Sequence, residues 1–216
     1  MCRKCNRYAP ANRRPHGAAR WYGPDRIGLV GFHDTAFVIA KPADAFASWL
    51  QTQAARLPML VSGNCTNLAA GLDASLAVLR RTPLGVLRRM WLLSDGLPNR
   101  DTERIGPLVR AARDAHVNIN TVAFGDAWGC DIGLLRRISR ATHNGHFFTI
   151  NNLRDLSEAL IRGGESRNTL HHRAETTVLC IDLSGSMVQP MDGRRKIDVV
   201  VEAITALLRY KQSVWS

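Results

Sequence analysis

No stretch of this 216-residue sequence approaches the roughly 18–20 apolar residues that a membrane-spanning helix requires. Its opening residues, MCRKCNRYAPANRRPHGAARWYGPD, hold no apolar h-region, so no secretory signal is expected and the expected location is the cytoplasm. Cysteine is scarce and odd in number: Cys2, Cys5, Cys65, Cys130 and Cys180. An odd count without a signal peptide argues against a disulfide framework. Cys2 and Cys5 make one C-x-x-C pair, which supplies only two of the four ligands of a zinc ribbon. There is no G-x-G-x-x-G, no Walker sequence and no G-x-S-x-G, so neither a phosphate cradle nor a nucleophile elbow is present.

Basic charge, by contrast, is plentiful. The formal net charge is +11, and it is uneven. Residues 1–26 carry seven basic residues (Arg3, Lys4, Arg7, Arg13, Arg14, Arg20, Arg26) against Asp25 alone, which places +6 there. Such a tail can hold nucleic acid or another anionic surface, or can be a solvated arm. The Arg80–Arg81, Arg88–Arg89, Arg136–Arg137 and Arg194–Arg195 pairs add further charge. Aromatic residues make up only 6% and do not interleave with these arginines as a base-stacking platform would. Nucleic-acid binding is therefore the alternative reading, not the leading one.

Beyond the tail, short apolar runs alternate with helix-period segments. RIGLVGF and AFVIA, joined by HDT, predict an antiparallel hairpin; Phe46, Trp49 and Leu50 mark a helix, LPMLVSGNC a loop, and Leu68, Leu72, Leu76 and Leu79 the next helix. RMWLLS, VNINTVAFG and HFFTI read as buried strands, each followed by an amphipathic stripe. Residues 162–175 are polar and glycine-bearing, a linker. The strand TTVLCI follows, then a long helix with Ile197, Val200, Val201, Ile204, Leu207 and Leu208 on one face. Such alternation predicts an α/β fold: a Rossmann-like, doubly wound, mainly parallel six-stranded sheet with one antiparallel edge strand and helices on both faces. The expected organisation is a basic tail (1–22), a first block (23–161), the linker, and a closing strand and helix (176–216) that complete the same domain.

Strand ends are where open α/β sheets bind ligands. At one of them Asp182, Ser184 and Ser186 place three oxygen side chains at alternate positions. This is a hard-oxygen set that suits Mg²⁺ or Mn²⁺. Three ligands from one loop are too few, and two other strand–helix junctions offer Thr66 and Asp95. Each has a plain structural explanation: Ser184, Ser186 or Thr66 as a helix cap, and Asp95 as an Asx turn. Asp182 is harder to explain that way, because it ends an apolar strand where an unpaired carboxylate is costly. Substituting Asp182 by Ala is expected to abolish metal binding and leave the fold intact.

The segments DLSGSM, CTNLAAGL and LLSDGLPN resemble the three motif segments of the von Willebrand factor A (VWA) domain, and GPDRIGLVGFHDTAFVIAKP resembles its second strand and edge hairpin. The resemblance covers residues about 23–160 and 176–210. It implies a metal-ion-dependent adhesion site (MIDAS) with Asp182, Ser184, Ser186, Thr66 and Asp95 as metal residues. It also implies a protein partner whose Asp or Glu carboxylate completes the coordination. Among bacterial relatives, such domains serve AAA+ ATPase assemblies as adaptors, so an assembly of that class is an implied partner.

An enzyme is not expected. Asp182 also resembles the aspartyl nucleophile of haloacid-dehalogenase-like phosphatases, but the second acid that chemistry needs is replaced by Ser184. The motif order departs from the VWA family, because the Asp-x-Ser-x-Ser strand comes last here and not first. A circular permutation accounts for this, since a 14-residue linker spans roughly 20 Å and can join the family's neighbouring ends. A cut through tandem domains, or a misread gene, is the second reading; the short linker favours permuted closure within one chain. In either case residues 176–181 are expected to fill the centre of the sheet.

Overall fold

The computed structural model describes residues 24–45, 47–63, 65–83, 85–95, 97–124, 130–163 and 174–215, the side chain of Trp215 excepted. The basic tail, Cys2 and Cys5, Phe46, and most of the linker with His171 and His172 lie outside the described residues.

The described residues open with the expected hairpin, β1 (Arg26–Phe32) and β2 (Ala36–Asp44). Helices α1 (Ser48–Ala55), α2 (Leu57–Leu60) and α3 (Leu68–Leu79) follow. The segment expected to be all loop thus opens with one helical turn; Pro58 sits early in it, where its missing N–H costs nothing. Then come β3 (Leu87–Ser94), α4 (Ile105–Asp114), β4 (Val117–Phe124), α5 (Ile132–Arg140), β5 (Phe147–Ile150) and α6 (Leu153–Arg162). The last part holds β6 (Glu175–Asp182), a two-residue hairpin of β7 (Pro190–Met191) and β8 (Arg194–Arg195), and α7 (Lys196–Trp215). The small hairpin was not expected from the sequence.

Six strands form one sheet in the order β2-β1-β6-β3-β4-β5, parallel except for the β1–β2 edge pair. The expectation for residues 176–181 holds: β6 lies inside the sheet between β1 and β3, and all eight of its residues are buried. Alternation sends Leu179 and Ile181 to one face, with the apolar sides of α1, α6 and α7, and Val178 and Cys180 to the other, with α3, α4 and α5. The layers approach closely. A Cβ on Gly71 of α3 would lie 2.6 Å from the Phe32 ring, so only glycine lets that helix sit down on β1.

The opposite end of the sheet from the strand tips is tied by buried charge. Arg89 pairs with Glu175 at 2.9 Å and also donates to the carbonyl of Gly163. Asp25 accepts from Lys211 Nζ at 2.6 Å and from the Glu175 N–H at 3.0 Å. These bonds join the start of β1, the end of α7, the end of α6 and the start of β6. Removing one member of a buried pair strands the other. Glu175→Ala is accordingly expected to lower stability by about 3–5 kcal/mol, read from urea unfolding; a change below ~1 kcal/mol would mean that water solvates Arg89 once Glu175 is gone.

The same geometry bears on the arginine pairs. Arg89 is buried, Arg88 donates to the carbonyls of Ala115 and Thr82, Arg194 pairs with Glu202 and Arg195 with Asp198. Two of the four pairs are thus engaged within the fold and do not form a free basic stripe. No helix among the described residues is long and apolar enough to cross a membrane.

Candidate functional site

The parallel register determines what meets at the strand tips. Phe32 lies opposite Asp182 on one side of β6, and Leu93 lies opposite Ile181 on the other. The next residue of β3, Ser94, therefore comes level with Asp182, and Asp95 emerges just beyond it.

Asp182 is completely buried. Its Oδ2 accepts from the Ser94 hydroxyl at 2.6 Å and its Oδ1 from the Ser184 N–H at 2.9 Å. Burial pushes its pKa up to about 6, against the opposing pull of the Ser94 and Ser184 hydrogen bonds. Substitution by Ala would remove a buried carboxylate to which both groups donate, so the expected innocence of Asp182→Ala toward the fold is withdrawn. Asp182→Asn preserves the shape and is the informative variant.

From Asp182 the cluster continues outward. Ser184 Oγ lies 3.0 Å from Ser186 Oγ, and Ser186 Oγ donates to Asp95 Oδ1 at 2.7 Å. The other Asp95 oxygen accepts from Lys196 Nζ at 2.6 Å. An Asx turn does not explain Asp95, since both of its oxygens bond side chains from the last part of the chain. Nor does capping explain the serines: Ser184 occupies the N-cap of a short 3-10 turn without a side-chain cap bond.

Thr66 comes to the same end of the sheet on its own loop. The helix cap there is Asn67, whose Oδ1 accepts from the Ala70 N–H, and not Thr66. Asn67 also donates to the Asp34 carbonyl and to Asp101 Oδ2. Asn99 clasps Thr66 from the other side, accepting from its N–H at 3.0 Å and donating to its carbonyl at 3.3 Å. The Thr66 loop is stitched to the serine loop through Ser62 N–H to Leu183 O at 2.9 Å and Gly185 N–H to Gly63 O at 3.1 Å. Gly63 has φ +80°, a left-handed turn that favours glycine and aims this carbonyl at Gly185. The structure thus links Asp182, Ser184, Ser186 and Asp95 through side-chain or near-neighbour hydrogen bonds. Among the described residues, the bonds that tie the Thr66 loop to them run through the backbone at Ser62 and Gly63.

Ser94, Asn99 and Lys196 were missed from sequence. Ser94 had a faint signal, since a polar residue ending an apolar strand just before an Asp invites the question of what it bonds. Lys196 had none, because it reads as the third cation of an Arg-Arg-Lys run.

Chemically the cluster is two carboxylates and neighbouring hydroxyls. A hydroxyl can keep its proton on a carboxylate while its lone pairs face a cation. Among the described residues no three His, Cys, Asp or Glu side chains converge on a common point, so any cation here must rely on serine and threonine oxygen. The residues fit a hard divalent ion on that ground. The two buried thiols nearest the sheet's strand tips are not ready soft ligands. Burial pushes the Cys130 and Cys180 thiols up to about 12, so both stay protonated near neutral pH.

A protein-family comparison agrees with this architecture. The family model described as von Willebrand factor type A domain matches residues 23–161, well over half of the chain. Among solved structures, the conserved hypothetical protein BatB from Bacteroides thetaiotaomicron is 14% identical, with a TM-score of 0.48 over 59% of this chain and 72% of that one. An uncharacterized membrane spanning protein from Vibrio fischeri is 26% identical, with a TM-score of 0.30 over 62% of this chain and 72% of that one. No curated protein matches the chain.

Proposed function

The chain belongs to the von Willebrand factor type A domain family, and we propose that it is a divalent-metal-dependent protein-binding module. Domains of this family generally mediate protein interactions. In the proposed site Asp182, Ser184, Ser186, Thr66 and Asp95 hold Mg²⁺ or Mn²⁺, and a partner's Asp or Glu completes the coordination. The observation that carries the reading is the hydrogen-bonded run Ser184–Ser186–Asp95, which joins oxygen donors 91 positions apart. When bound, the metal supplies Lewis-acid attraction for the incoming carboxylate. The chain's own residues orient the donors and exclude bulk water from Asp182.

Exposed Leu97 and Val188, each two residues beyond a proposed metal residue, support a surface that a protein partner covers. An AAA+ ATPase assembly in the cytoplasm is the partner class and place we propose. The strand order supports a circular permutation in which 176–216 supplies the family's first strand and helix to the same domain.

Thermal unfolding in millimolar Mg²⁺ and in EDTA, with light scattering for mass, tests this reading. A monomer whose Tm rises by several degrees with Mg²⁺ is the expected result. No rise with Mg²⁺ or Mn²⁺ would sink the metal reading. A Mg²⁺-stabilised dimer would mean that β6 is exchanged between chains.

A further inference from the structure

The run Arg194–Arg195–Lys196 reads as a solvated basic patch, yet only two of its members lie at the surface, and both are ion-paired there. The Arg194 and Arg195 side chains are 42% and 50% exposed and pair with Glu202 and Asp198 on α7. Lys196 turns inward: its side chain is 11% exposed, and Nζ lies 2.6 Å from an Asp95 carboxylate that is itself inaccessible. Its backbone is held as well, since the Lys196 N–H donates to Gln189 O at 3.1 Å across the foot of the β7–β8 hairpin. The cluster therefore already contains a cation of its own.

That placement has an electrostatic consequence. Two carboxylates and one ammonium leave the cluster with a single negative charge before any metal arrives. A divalent ion added to it leaves one positive charge, where Asp95 and Asp182 alone would have been neutralised. Like charges a few ångströms apart in a partly dry site repel by several times their repulsion in water. The ammonium must therefore either leave Asp95 or oppose the metal, and a loaded site that keeps it attracts an anion.

We propose that Lys196 is a resident counter-cation of this rim, weakening divalent metal when it binds alone and strengthening its binding together with an acidic ligand. The proposal rests on the metal-binding reading above and adds to it why metal and partner should arrive together. Lys196 is here a residue acting through Asp95, not a metal ligand. It holds one carboxylate oxygen while the other accepts from Ser186.

The test is Mn²⁺ titration of the full chain by electron paramagnetic resonance, with and without acetate as the carboxylate probe. Wild type is compared with Lys196→Met, Lys196→Gln and Lys196→Arg. Both neutral variants should bind Mn²⁺ at least about tenfold more tightly than wild type, with a lower metal-free Tm because Asp95 loses its partner. Lys196→Arg should match wild type, and acetate should tighten Mn²⁺ binding in wild type more than in the neutral variants. Two neutral replacements of different shape guard against one failing to fold. Unchanged or weaker Mn²⁺ binding in the neutral variants, with wild type still binding, overturns the counter-cation and spares the metal site. Equal acetate effects in all proteins overturn the coupling to an acidic ligand. Absence of Mn²⁺ binding in every protein overturns both this proposal and the metal reading it rests on.

Discussion

Asp182→Asn should abolish the Mg²⁺-dependent rise in Tm and weaken Mn²⁺ binding by about 10–100-fold or more, without loosening the metal-free fold. Asn can still accept from the Ser184 N–H through its oxygen, and its amide can donate to Ser94 Oγ in place of the bond now running the other way. It resembles the protonated acid, and the sign of the pH effect follows from that. The folded pKa of Asp182 is about 6, above its ordinary value of 3.8, so the folded chain holds this proton more tightly than the unfolded one.

The resulting stability is fully present below about pH 4 and is lost as pH rises towards 6; above that, the buried charge costs on the order of 3 kcal/mol. Metal-free wild type should therefore lose stability relative to Asp182→Asn between pH 4 and 6.5, with the Asn variant the more stable at pH 7.5. Proton competition should also weaken metal binding by wild type below about pH 6. Denaturant unfolding of both proteins in EDTA across that range gives the comparison. Parallel pH profiles would show that Asp182 is already ionised at low cost, and intact Mn²⁺ affinity in the variant would remove it from the metal site.

A chain ending at Gly163 should not fold. It would lack β6 and α7, and with them Val178, Leu179, Ile181, Leu183, Ile197, Val200, Ile204, Leu207 and Leu208, all buried. At about 1.5–3 kcal/mol for each such side chain, the loss matches or exceeds the 5–15 kcal/mol by which a domain is ordinarily stable. The sheet would also open in its middle, because β1 and β3 each pair with β6 and not with each other. The expected outcome is no cooperative thermal transition and a flat near-ultraviolet dichroism spectrum. A truncated chain that melts cooperatively would show that residues 24–163 close without β6. The closing segment would then be an addition to the domain, not its centre, and the proposed permutation would fail with it.

Local patterns in the chain determined a good deal. Runs such as VLCI and MWLL alternate with stripes such as Leu68–Leu72–Leu76–Leu79, and periods of two and 3.6 need only neighbouring residues to be read. That was enough for the six-stranded α/β fold with its antiparallel edge. The spacing of Asp182, Ser184 and Ser186 was legible for the same reason, because one short loop carries all three. Capping was less so: Thr66 and Asn67 are adjacent and both able to cap, and Asn67, the stronger capping residue, is the one that does.

What only the tertiary structure decided lies where residues far apart in the chain are brought level. Ser94 meets Asp182 because two parallel strands share a register, and Asp25 meets Lys211 across 186 positions because α7 runs back to the start of β1. Whether Asp182 sits at the surface or beneath it depended on its neighbours across the sheet, Ser94 among them, which no spacing within DLSGSM expresses. The inward turn of Lys196 likewise depended on a two-residue hairpin too short to leave a pattern. Periodicity records which face of an element is apolar; the partner that a charged side chain finds is set by the distances between elements, and those exist only once the sheet has formed.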